Sequence, residues 1–251
     1  MGLLKGKVAW ITGGGTGIGL AGASALAAAG AIVVISGRRA NVLEGAARGI
    51  GGRVSALALD VCDAEEVRSA ADRILAEHGQ INILVNSAGL NVPRRSWAEI
   101  STEGWDQVRA INADGTFYCI AAVLPAMRRQ NGGLVVNIAS WAGKHFGKMT
   151  GPAYTSAKHA VVAMTHSLNM EEWSHGIRAT VICPAEVNTP ILDTRPSPPS
   201  HAMRARMLQV EDLGRTIRFV CEMPPHVCTN EIILSPLWNR SFGATDPAAE
   251  G

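Results

Sequence analysis

The sequence predicts an α/β fold in which a doubly wound parallel sheet of about seven strands lies between two layers of helices, α/β/α. Three observations support this prediction. Short β-branched apolar runs recur along the chain, helical stretches alternate with them, and a glycine cluster separates the first run from the first helical stretch. The 251 residues contain no internal repeat or low-complexity linker, so we expect one domain over residues 1–251 with a frayed tail at 244–251.

The strands are predicted from runs that are apolar throughout instead of alternating with polar residues. Strands of this kind are buried on both faces, as in a parallel sheet that helices cover on each side. In chain order, the predicted strands are residues 8–11, 32–35, 54–59, 81–85, 134–138, 180–183 and 232–234.

Helical stretches lie between most of these strands, as the crossovers of a βαβ fold require. The clearest are residues 18–29, 64–78, 105–129, 153–174 and 211–222. Residues 190–200 have no clear period and contain Pro190, Pro196, Pro198 and Pro199. A loop with a functional or mobile role is expected there.

The charge balance and the cysteines exclude several classes of protein. With 23 Lys and Arg against 21 Asp and Glu, the formal net charge is +2 and charged residues make up 18% of the chain. Neither a nucleic-acid-binding surface nor a disordered chain is expected from these values. The five cysteines form no C-x-x-C pair, so we predict neither a disulfide framework nor a metal site.

We expect a cytoplasmic protein without a membrane span. Residues 1–7 do not resemble a secretory signal. Residues 8–37 contain no charged residue, and their length alone is enough to cross a bilayer. However, this segment has eight glycines, and their clustering indicates a strand, a turn, a helix and a second strand.

A glycine-rich turn, residues 12–19, follows the first predicted strand and opens the first predicted helix. Glycines there let a pyrophosphate approach the backbone, and the helix N-terminus supplies N–H groups and the positive end of the dipole. The spacing G-x-x-x-G-x-G differs from the commonest dinucleotide fingerprint and has no Lys-Ser/Thr pair. The alternative is a merely flexible turn. The residues predicted to bind a cofactor are Gly13, Gly15, Thr16, Gly17, Ile18 and Gly19.

The end of the second strand favours NADP over NAD. About 20 residues after the turn, an NAD site places an acid on the ribose 2′-hydroxyl, whereas this chain has Gly37, Arg38 and Arg39. Gly37 leaves room for a 2′-phosphate, and the planar guanidinium of Arg38 can bind it. The alternative is that both arginines are solvated surface charges, so NAD stays open.

Tyr154 and Lys158 are spaced i and i+4 and therefore share one face of a predicted helix. A tyrosine needs a neighbouring cation to favour its phenolate before it exchanges protons near neutral pH, and Lys158 supplies that charge. Ser140 follows the strand at 134–138, at the strand end where doubly wound sheets bind ligands. Its hydroxyl could polarise a carbonyl. Taken alone, a Tyr-x-x-x-Lys pair is common in ordinary helices.

Together these features resemble the short-chain dehydrogenase/reductase family, which has a Rossmann-type fold. The resemblance runs through almost the whole chain. Besides the glycine turn, Ser140, Tyr154 and Lys158, the matching positions are Asp60 and Val61 after the third strand, Asn86, Ser87, Ala88 and Gly89 as the N-x-A-G motif after the fourth, the helix asparagine Asn112, and Pro184, Ala185, Val187 and Thr189 in a segment similar to P-G-x-x-x-T. Except for Asn112, the resemblance implies that these added positions contact the cofactor.

The resemblance implies hydride transfer between a nicotinamide and an alcohol or carbonyl carbon. It assigns Tyr154 as the general acid/base, Lys158 as the residue that lowers its pKa and holds the nicotinamide ribose, and Ser140 as a hydrogen-bond partner of the substrate oxygen. Asn112 is expected to maintain a backbone site for a water that relays the proton. Local roles are the alternatives: a helix bend or cap for Asn112, a helix cap for Asp60 and a strand-end contact for Ser140.

Two features depart from the family pattern. The interval from Ser140 to Tyr154 is one residue longer than the family's usual spacing, which indicates an extra residue within 141–153. The family's Pro-Gly is Pro184 followed by Ala185 here, so a methyl group is added where the chain turns beside the nicotinamide.

The resemblance also implies where the substrate binds. The corresponding segments here are residues 141–149, 90–97 and 190–207. Their candidate substrate contacts are Trp141, Phe146, Met149 and Ile191, beside the basic residues Lys144, His145, Lys148, Arg94 and Arg95. This mixture suits a substrate with an apolar body and an anionic end, although basic residues in such segments are more often exposed.

The leading hypothesis is an NADP-dependent oxidoreductase that acts on a small or medium-sized carbonyl or alcohol. One alternative is a catalytically silent NADP(H)-binding sensor or scaffold, and another is an epimerase or dehydratase, which usually has a larger C-terminal region. The family resemblance further implies a homo-oligomer, a tetramer or a dimer. Its seam is expected to include Val123, Leu124, Val162 and Met164.

Overall fold

Seven parallel strands form one sheet in the computed structural model, which describes residues 2–239 and 242. The strands are β1 (Val8–Thr12), β2 (Ile32–Gly37), β3 (Val54–Ala58), β4 (Ile83–Asn86), β5 (Gly133–Ile138), β6 (Ile177–Pro184) and β7 (Glu231–Leu234). Their order is β3-β2-β1-β4-β5-β6-β7, and every pairing is parallel. The predicted doubly wound sheet is confirmed. Residues 244–251, where a frayed tail is expected, lie outside the described residues.

Helices alternate with the strands. The α-helices of the described residues are α1 (Gly17–Ala28), α2 (Ala40–Ile50), α3 (Ala64–His78), α4 (Thr102–Arg109), α5 (Gly115–Arg129), α6 (Gly151–Glu172), α7 (His201–Ala205) and α8 (Val210–Glu222). A π-helical turn, Ala110–Asp114, joins α4 to α5, and 3₁₀ turns lie at Trp141–Gly143, Trp173–His175 and Pro190–Thr194. The sequence predicts all of these α-helices except α2 and α7.

Helix α2 is not predicted from the sequence because several of its residues have a low helix propensity. Gly45 and Gly49 lie within it, and glycine lowers helix propensity. Its Leu43 is 2% exposed and packs into one core with Val33 and Ile35 of β2. Tertiary packing of an apolar face therefore stabilises this helix against its composition.

Alternate residues of β1 enter two different hydrophobic cores. Ala9 and Ile11 pack with residues of α1, α2 and α8 on one face, whereas Val8 and Trp10 pack with residues of α3, α5 and α6 on the other. All of β1 is buried. Burial on both faces explains why the strands are apolar throughout.

A chain of buried side-chain hydrogen bonds joins β4 and β5 to α6. Asn86 Nδ2 donates to Asn137 Oδ1 (2.9 Å), and Asn137 Nδ2 donates to Thr165 Oγ1 (2.9 Å). All three residues are buried. Because a buried polar group without a partner is costly, this chain fixes how α6 packs on the two strands.

Two residues expected at a subunit seam are core residues instead, which corrects that expectation. Val123 is completely buried in the core that contains α3 and α5, and Val162 is 8% exposed. Leu124 is partly buried against the core of Val123, and Met164 is partly buried against a separate core that contains Val162. Large apolar side chains that α5 and α6 do expose are Phe117 and Met170.

Within the described part of the chain, one continuous helical stretch, Thr102–Arg129, is long and apolar enough to cross a membrane by length and composition alone. Half of its apolar window is buried inside the protein, as in the core helix of a soluble protein. This stretch is therefore weak evidence for a membrane span.

We predict that Asn137→Ala lowers the free energy of unfolding by about 2–4 kcal/mol, because it leaves the buried Asn86 Nδ2 without its acceptor and removes one of the two hydrogen bonds of the Thr165 hydroxyl. Chemical denaturation measures the change. Asn41→Ala, an exposed asparagine on α2, is the matched control and is expected to change stability by less than about 0.5 kcal/mol. Equal stabilities for the two variants would contradict a structural role for the buried chain.

Candidate active site

A cavity of ≈ 1050 Å³ opens at the carboxyl ends of the strands. Strands β1 and β4 are neighbours there, but the chain continues from β1 to β2 on one side and from β4 to β5 on the other. Ligands of doubly wound sheets bind at such a switch point.

Most predicted site residues line this one cavity. The lining includes Gly13, Gly15, Thr16, Gly17, Ile18, Arg38, Arg39, Asp60, Val61, Ser87, Ala88, Gly89, Ser140, Trp141, Phe146, Met149, Tyr154, Lys158, Pro184, Ala185, Val187, Thr189 and Ile191. Three predicted residues, Gly19, Asn86 and Asn112, lie behind the lining. Asn86 belongs to the buried amide chain between β4, β5 and α6.

The glycine turn packs so tightly that side chains are excluded. Gly13 has a φ of +65°, and a Cβ there would lie 2.8 Å from the backbone of Ser87 and Ala88. A Cβ on Gly19 would lie 2.3 Å from the carbonyl oxygen of Gly13. Thr12 Oγ1 accepts hydrogen bonds from the N–H groups of Ser87 (3.2 Å) and Ala88 (3.3 Å). These contacts fix the turn after β1 against the turn after β4.

The start of α1 is suited to an anion. Thr16, its N-cap residue, makes no side-chain capping hydrogen bond, and the first turn contains no acidic residue. The first N–H groups of the helix and the positive end of its dipole therefore face the cavity without a competing carboxylate. This arrangement fits the pyrophosphate of a dinucleotide.

The far end of the cavity carries positive charge and a fixed carboxylate. Arg38 and Arg39 are exposed and line the cavity just after β2. A Cβ on Gly37 would meet only Leu43 Cδ2, at 3.8 Å, so this position is open. After β3, Asp60 Oδ1 accepts a hydrogen bond from the Cys62 N–H (3.0 Å), which holds the carboxylate at the strand end.

Helix α6 and the end of β5 bring together Tyr154, Lys158 and Ser140. Lys158 Nζ lies 5.6 Å from the centroid of the Tyr154 ring and donates a hydrogen bond to the Ile138 carbonyl oxygen (2.9 Å). The Ser140 hydroxyl is close enough to Tyr154 to lower the pKa of the phenol. The Trp141–Gly143 turn begins at Ser140 and accommodates the longer interval without separating the two hydroxyl groups.

The charges around Tyr154 differ from the expectation. Burial raises the pKa of Tyr154, while the Ser140 hydroxyl and the nearby guanidinium groups of Arg195 and Arg95 lower this pKa. Burial lowers the pKa of Lys158 to about 8. The cations that lower the pKa of Tyr154 are therefore these two arginines, and not Lys158 as expected.

Asn112 lies in the π-helical turn and contributes a buried acceptor without a partner. Its Nδ2 donates to the carbonyl oxygens of Leu90 and Val108 (2.8 Å each), whereas its Oδ1 has no hydrogen-bond partner. A Cβ on Gly89 would lie 2.9 Å from this Oδ1 and 3.6 Å from Lys158 Nζ. The absence of a side chain at Gly89 leaves a small space between the amide and the ammonium.

Ala185 fits without backbone strain where the family has glycine. Among the described non-glycine residues, only Asn131 has a positive φ, so the Ala185 conformation is open to any residue. Its N–H donates to the Leu234 carbonyl oxygen (2.7 Å). The additional methyl group is therefore accommodated in the wall of the cavity.

All four predicted substrate-contact residues line the cavity. Phe146 is 85% exposed and stacks on the His159 ring (centroids 5.1 Å apart), and Trp141 packs edge-on against Phe242 (5.6 Å). Among the basic residues, Lys144, His145, Lys148 and Arg94 are exposed, as expected, whereas Arg95 is 7% exposed.

Several lining residues belong to no sequence motif, although Thr194 and Arg195 fall within residues 190–207, where the resemblance implies substrate binding. Arg195 pairs with Glu186 (2.7 Å), and Thr194 accepts a hydrogen bond from Arg95. Asn239 and Phe242 also line the cavity. Tertiary packing brings these residues to the site, and no local spacing indicates it. No group of three or more His, Cys, Asp or Glu side chains that could hold a metal ion occurs in residues 2–239 and 242.

Comparisons with known proteins agree with this geometry. A family model described as short chain dehydrogenase matches residues 7–199. An uncharacterised oxidoreductase of Staphylococcus saprophyticus is 34% identical over 238 residues, which cover 93% of this chain and 99% of the relative. D-threitol dehydrogenase of Mycolicibacterium smegmatis is 41% identical over 195 residues (74% and 72%). The crystal structure of a metagenomic short-chain oxidoreductase in complex with NADP superposes with a TM-score of 0.81 at 26% identity and covers 93% of this chain and 98% of that one.

Replacing Lys158 with methionine tests the cost of burying its charge. Its pKa is lowered from 10.5 to about 8. Below pH 8 the folded protein therefore contains a buried ammonium group whose charge is more stable in the unfolded chain, and this lowers the free energy of unfolding. We expect Lys158→Met to raise the free energy of unfolding of the cofactor-free protein at pH 7 by about 1–3 kcal/mol, measured by urea denaturation.

The pH dependence identifies the cause. Between the two pKa values the unfolded chain binds more protons than the folded protein, so wild-type stability rises with pH and the advantage of the variant shrinks above pH 8. Lys5→Met, at an exposed lysine, serves as the control and is expected to be neutral. A lower stability for Lys158→Met at every pH would show that the lysine contributes more through contacts than it costs through burial.

Proposed function

The chain belongs to the short-chain dehydrogenase family, and on that premise we propose that it transfers hydride between NADP(H) and a carbonyl or secondary alcohol carbon with Tyr154 as general acid/base. The observation that carries the proposal is the arrangement of Ser140, Tyr154 and Lys158 in the same cavity as an uncapped, glycine-lined helix N-terminus. In this proposal residues 1–251 form one domain.

The proposed mechanism uses the chain's own groups for binding and for proton transfer. The reduced nicotinamide, when bound, supplies the hydride that the carbonyl carbon receives. Ser140 donates a hydrogen bond to the substrate oxygen, and Tyr154 donates the proton that converts this oxygen into the hydroxyl. Lys158 holds the cofactor ribose, and the charges of Arg95 and Arg195 stabilise the phenolate that remains. In the oxidation direction Tyr154 accepts the proton.

The proton that leaves Tyr154 must be replaced from solvent. The buried Oδ1 of Asn112 has no protein partner and lies near Lys158 Nζ beside Gly89. We propose that a water in this space accepts a hydrogen bond from Lys158 and donates one to Asn112, and so belongs to the relay that reprotonates the site.

NADP is the proposed cofactor. Arg38 and Arg39 line the cavity after β2, Gly37 leaves space beside them, and no acidic residue stands at the strand end where a ribose 2′-hydroxyl would be bound. A structural neighbour was solved in complex with NADP, which supports this choice. The substrate is proposed to be a small polar carbonyl compound or alcohol, and the name of one relative, D-threitol dehydrogenase, supports an alcohol carbon as the reacting centre.

The silent-sensor alternative predicts cofactor binding without turnover, and the complete set of Ser140, Tyr154 and Lys158 favours an enzyme over a sensor. We further propose a cytoplasmic homo-oligomer, a tetramer or a dimer. Exposed apolar side chains on α5, α6 and β7 support contact between copies: Phe117, Met170 and Ile233 are 54%, 79% and 46% exposed.

Tyr154→Phe is expected to lower kcat for carbonyl reduction by about 10²–10⁴-fold, because it removes the proton donor. NADPH oxidation followed by absorbance, with a panel of ketones, aldehydes and keto acids, measures the effect. Tyr118→Phe is the matched control, since Tyr118 lies on α5 outside the cavity lining. Turnover unchanged in Tyr154→Phe would assign the proton donor elsewhere, and tight NADPH binding without turnover in the wild type would favour the sensor.

Arg38→Ala is expected to raise the Kd for NADPH by about 10–100-fold and to change the Kd for NADH by less than about twofold, because only NADPH carries the 2′-phosphate. Quenching of protein fluorescence measures both constants. Arg53→Ala, at an exposed arginine outside the cavity, is the control. Equal losses for both cofactors would contradict 2′-phosphate recognition by Arg38.

A further inference from the structure

We propose that the guanidinium group of Arg95 binds a carboxylate of the substrate, so that the preferred substrates are carbonyl or alcohol compounds that carry an acid group. This inference rests on the proposed function and adds the chemical class of the substrate. It depends on a buried cation in the cavity wall that has no acidic partner among the described residues.

The burial of Arg95 is unusual for a charged side chain. The residue is 7% exposed and lines the cavity. Its Nη2 donates to the Thr194 carbonyl oxygen (2.8 Å), and its Nε has no hydrogen-bond partner. Arginines are almost never buried to this degree unless they are paired. The guanidinium therefore retains donors in the planar arrangement that a carboxylate matches.

The surroundings of Arg95 increase its need for an anion. Burial and the neighbouring Arg195 both lower the pKa of Arg95, which means that its charge is poorly compensated. Arg195 is paired with Glu186 (2.7 Å), whereas Arg95 forms no ion pair with any residue that the structure describes. A carboxylate on the ligand supplies the negative charge that this part of the wall lacks.

The position of Arg95 is fixed relative to Tyr154. A Cβ on Gly151, the first residue of α6, would lie 2.1 Å from the Arg95 carbonyl oxygen, so the two backbones are in direct contact. Asn91 Nδ2 donates to the Thr150 carbonyl oxygen (2.9 Å) and ties the same segment to the start of α6. Arg95 is also close enough to lower the pKa of Tyr154. An anion bound by Arg95 is therefore held at a constant distance from the proton donor.

The cofactor phosphates have their own expected sites, away from Arg95. The pyrophosphate fits the start of α1, and the 2′-phosphate fits Arg38 after β2. Arg95 instead contacts Thr194 and the start of α6, beside the residues expected to bind substrate. A role in substrate binding is therefore favoured over a role in cofactor binding.

The test compares oxo acids of three to eight carbons with their methyl esters, which have the same skeleton without the charge. NADPH oxidation gives kcat/KM for each pair. In the wild type we expect at least one acid to be preferred over its ester by about 10-fold or more. Arg95→Gln is expected to lower kcat/KM for that acid by about 10–100-fold and to change the value for the ester by less than about threefold. Arg94→Gln is the matched control and is expected to change neither value, because Arg94 is exposed and, unlike Arg95, does not line the cavity.

A binding measurement separates this inference from the proposed function. Calorimetric titration of the NADPH-loaded protein with the saturated carboxylates from propanoate to octanoate needs no turnover. We expect binding to the wild type and to Arg94→Gln, with affinity reduced about 10-fold or more in Arg95→Gln. If no oxo compound is reduced, the proposed function fails, while carboxylate binding that depends on Arg95 still supports the anion site.

Four results would overturn the inference: esters reduced as well as acids across the series, carboxylates that do not bind the wild type or that bind Arg95→Gln equally well, equal losses for acid and ester in Arg95→Gln, or a comparable loss of NADPH affinity in that variant. Equal losses for acid and ester would mean that Arg95 only stabilises the position of Thr194. A comparable loss of NADPH affinity would mean that Arg95 binds the cofactor.

Discussion

Burial of both faces of a parallel sheet is the constraint on which the rest of this structure depends. Parallel strands need a crossover after each strand, and the crossover helices cover the two faces and require apolar residues on both. The same connectivity sends every strand in one direction, so that all carboxyl ends meet at one edge. Segments far apart in the chain, such as residues 12–19, 86–89 and 138–140, thereby become neighbours around one cavity.

A small number of polar interactions inside this apolar framework determine the geometry of the site. Thr12 joins the turn after β1 to the turn after β4, Asn137 joins β5 to α6, and Lys158 ties α6 to the end of β5. Each of these bonds is buried or partly buried, where a lost partner costs more than at the surface. These hydrogen bonds therefore fix the position of the glycine turn relative to the Tyr154 hydroxyl, although the two lie far apart in the sequence.

The sheet and the motif positions could be predicted because they depend on local patterns. Near-continuous apolar runs indicate buried strands, glycines indicate a turn that excludes side chains, and an i, i+4 spacing places Tyr154 and Lys158 on one face. Helix α2 could not be predicted in this way, because packing of Leu43 outweighs a weak propensity. Nor could the burial of Arg95, whose hydrogen-bond partner Thr194 is 99 residues away in the sequence. Val123 shows a further limit of sequence analysis. An apolar residue on a helix gives the same sequence pattern whether it packs in the core or at an interface between subunits.

The turn at Pro190–Thr194 has a further consequence for binding. The prolines of this segment indicate a loop, yet the turn is held in place by its neighbours. Leu192, its middle residue, is 2% exposed and donates its N–H to the Thr189 carbonyl oxygen, and the Thr194 carbonyl oxygen at its end accepts a hydrogen bond from Arg95. A wall that is ordered before any ligand arrives loses little conformational entropy when one binds. Such a preorganised wall selects ligands by shape and charge without first having to close around them.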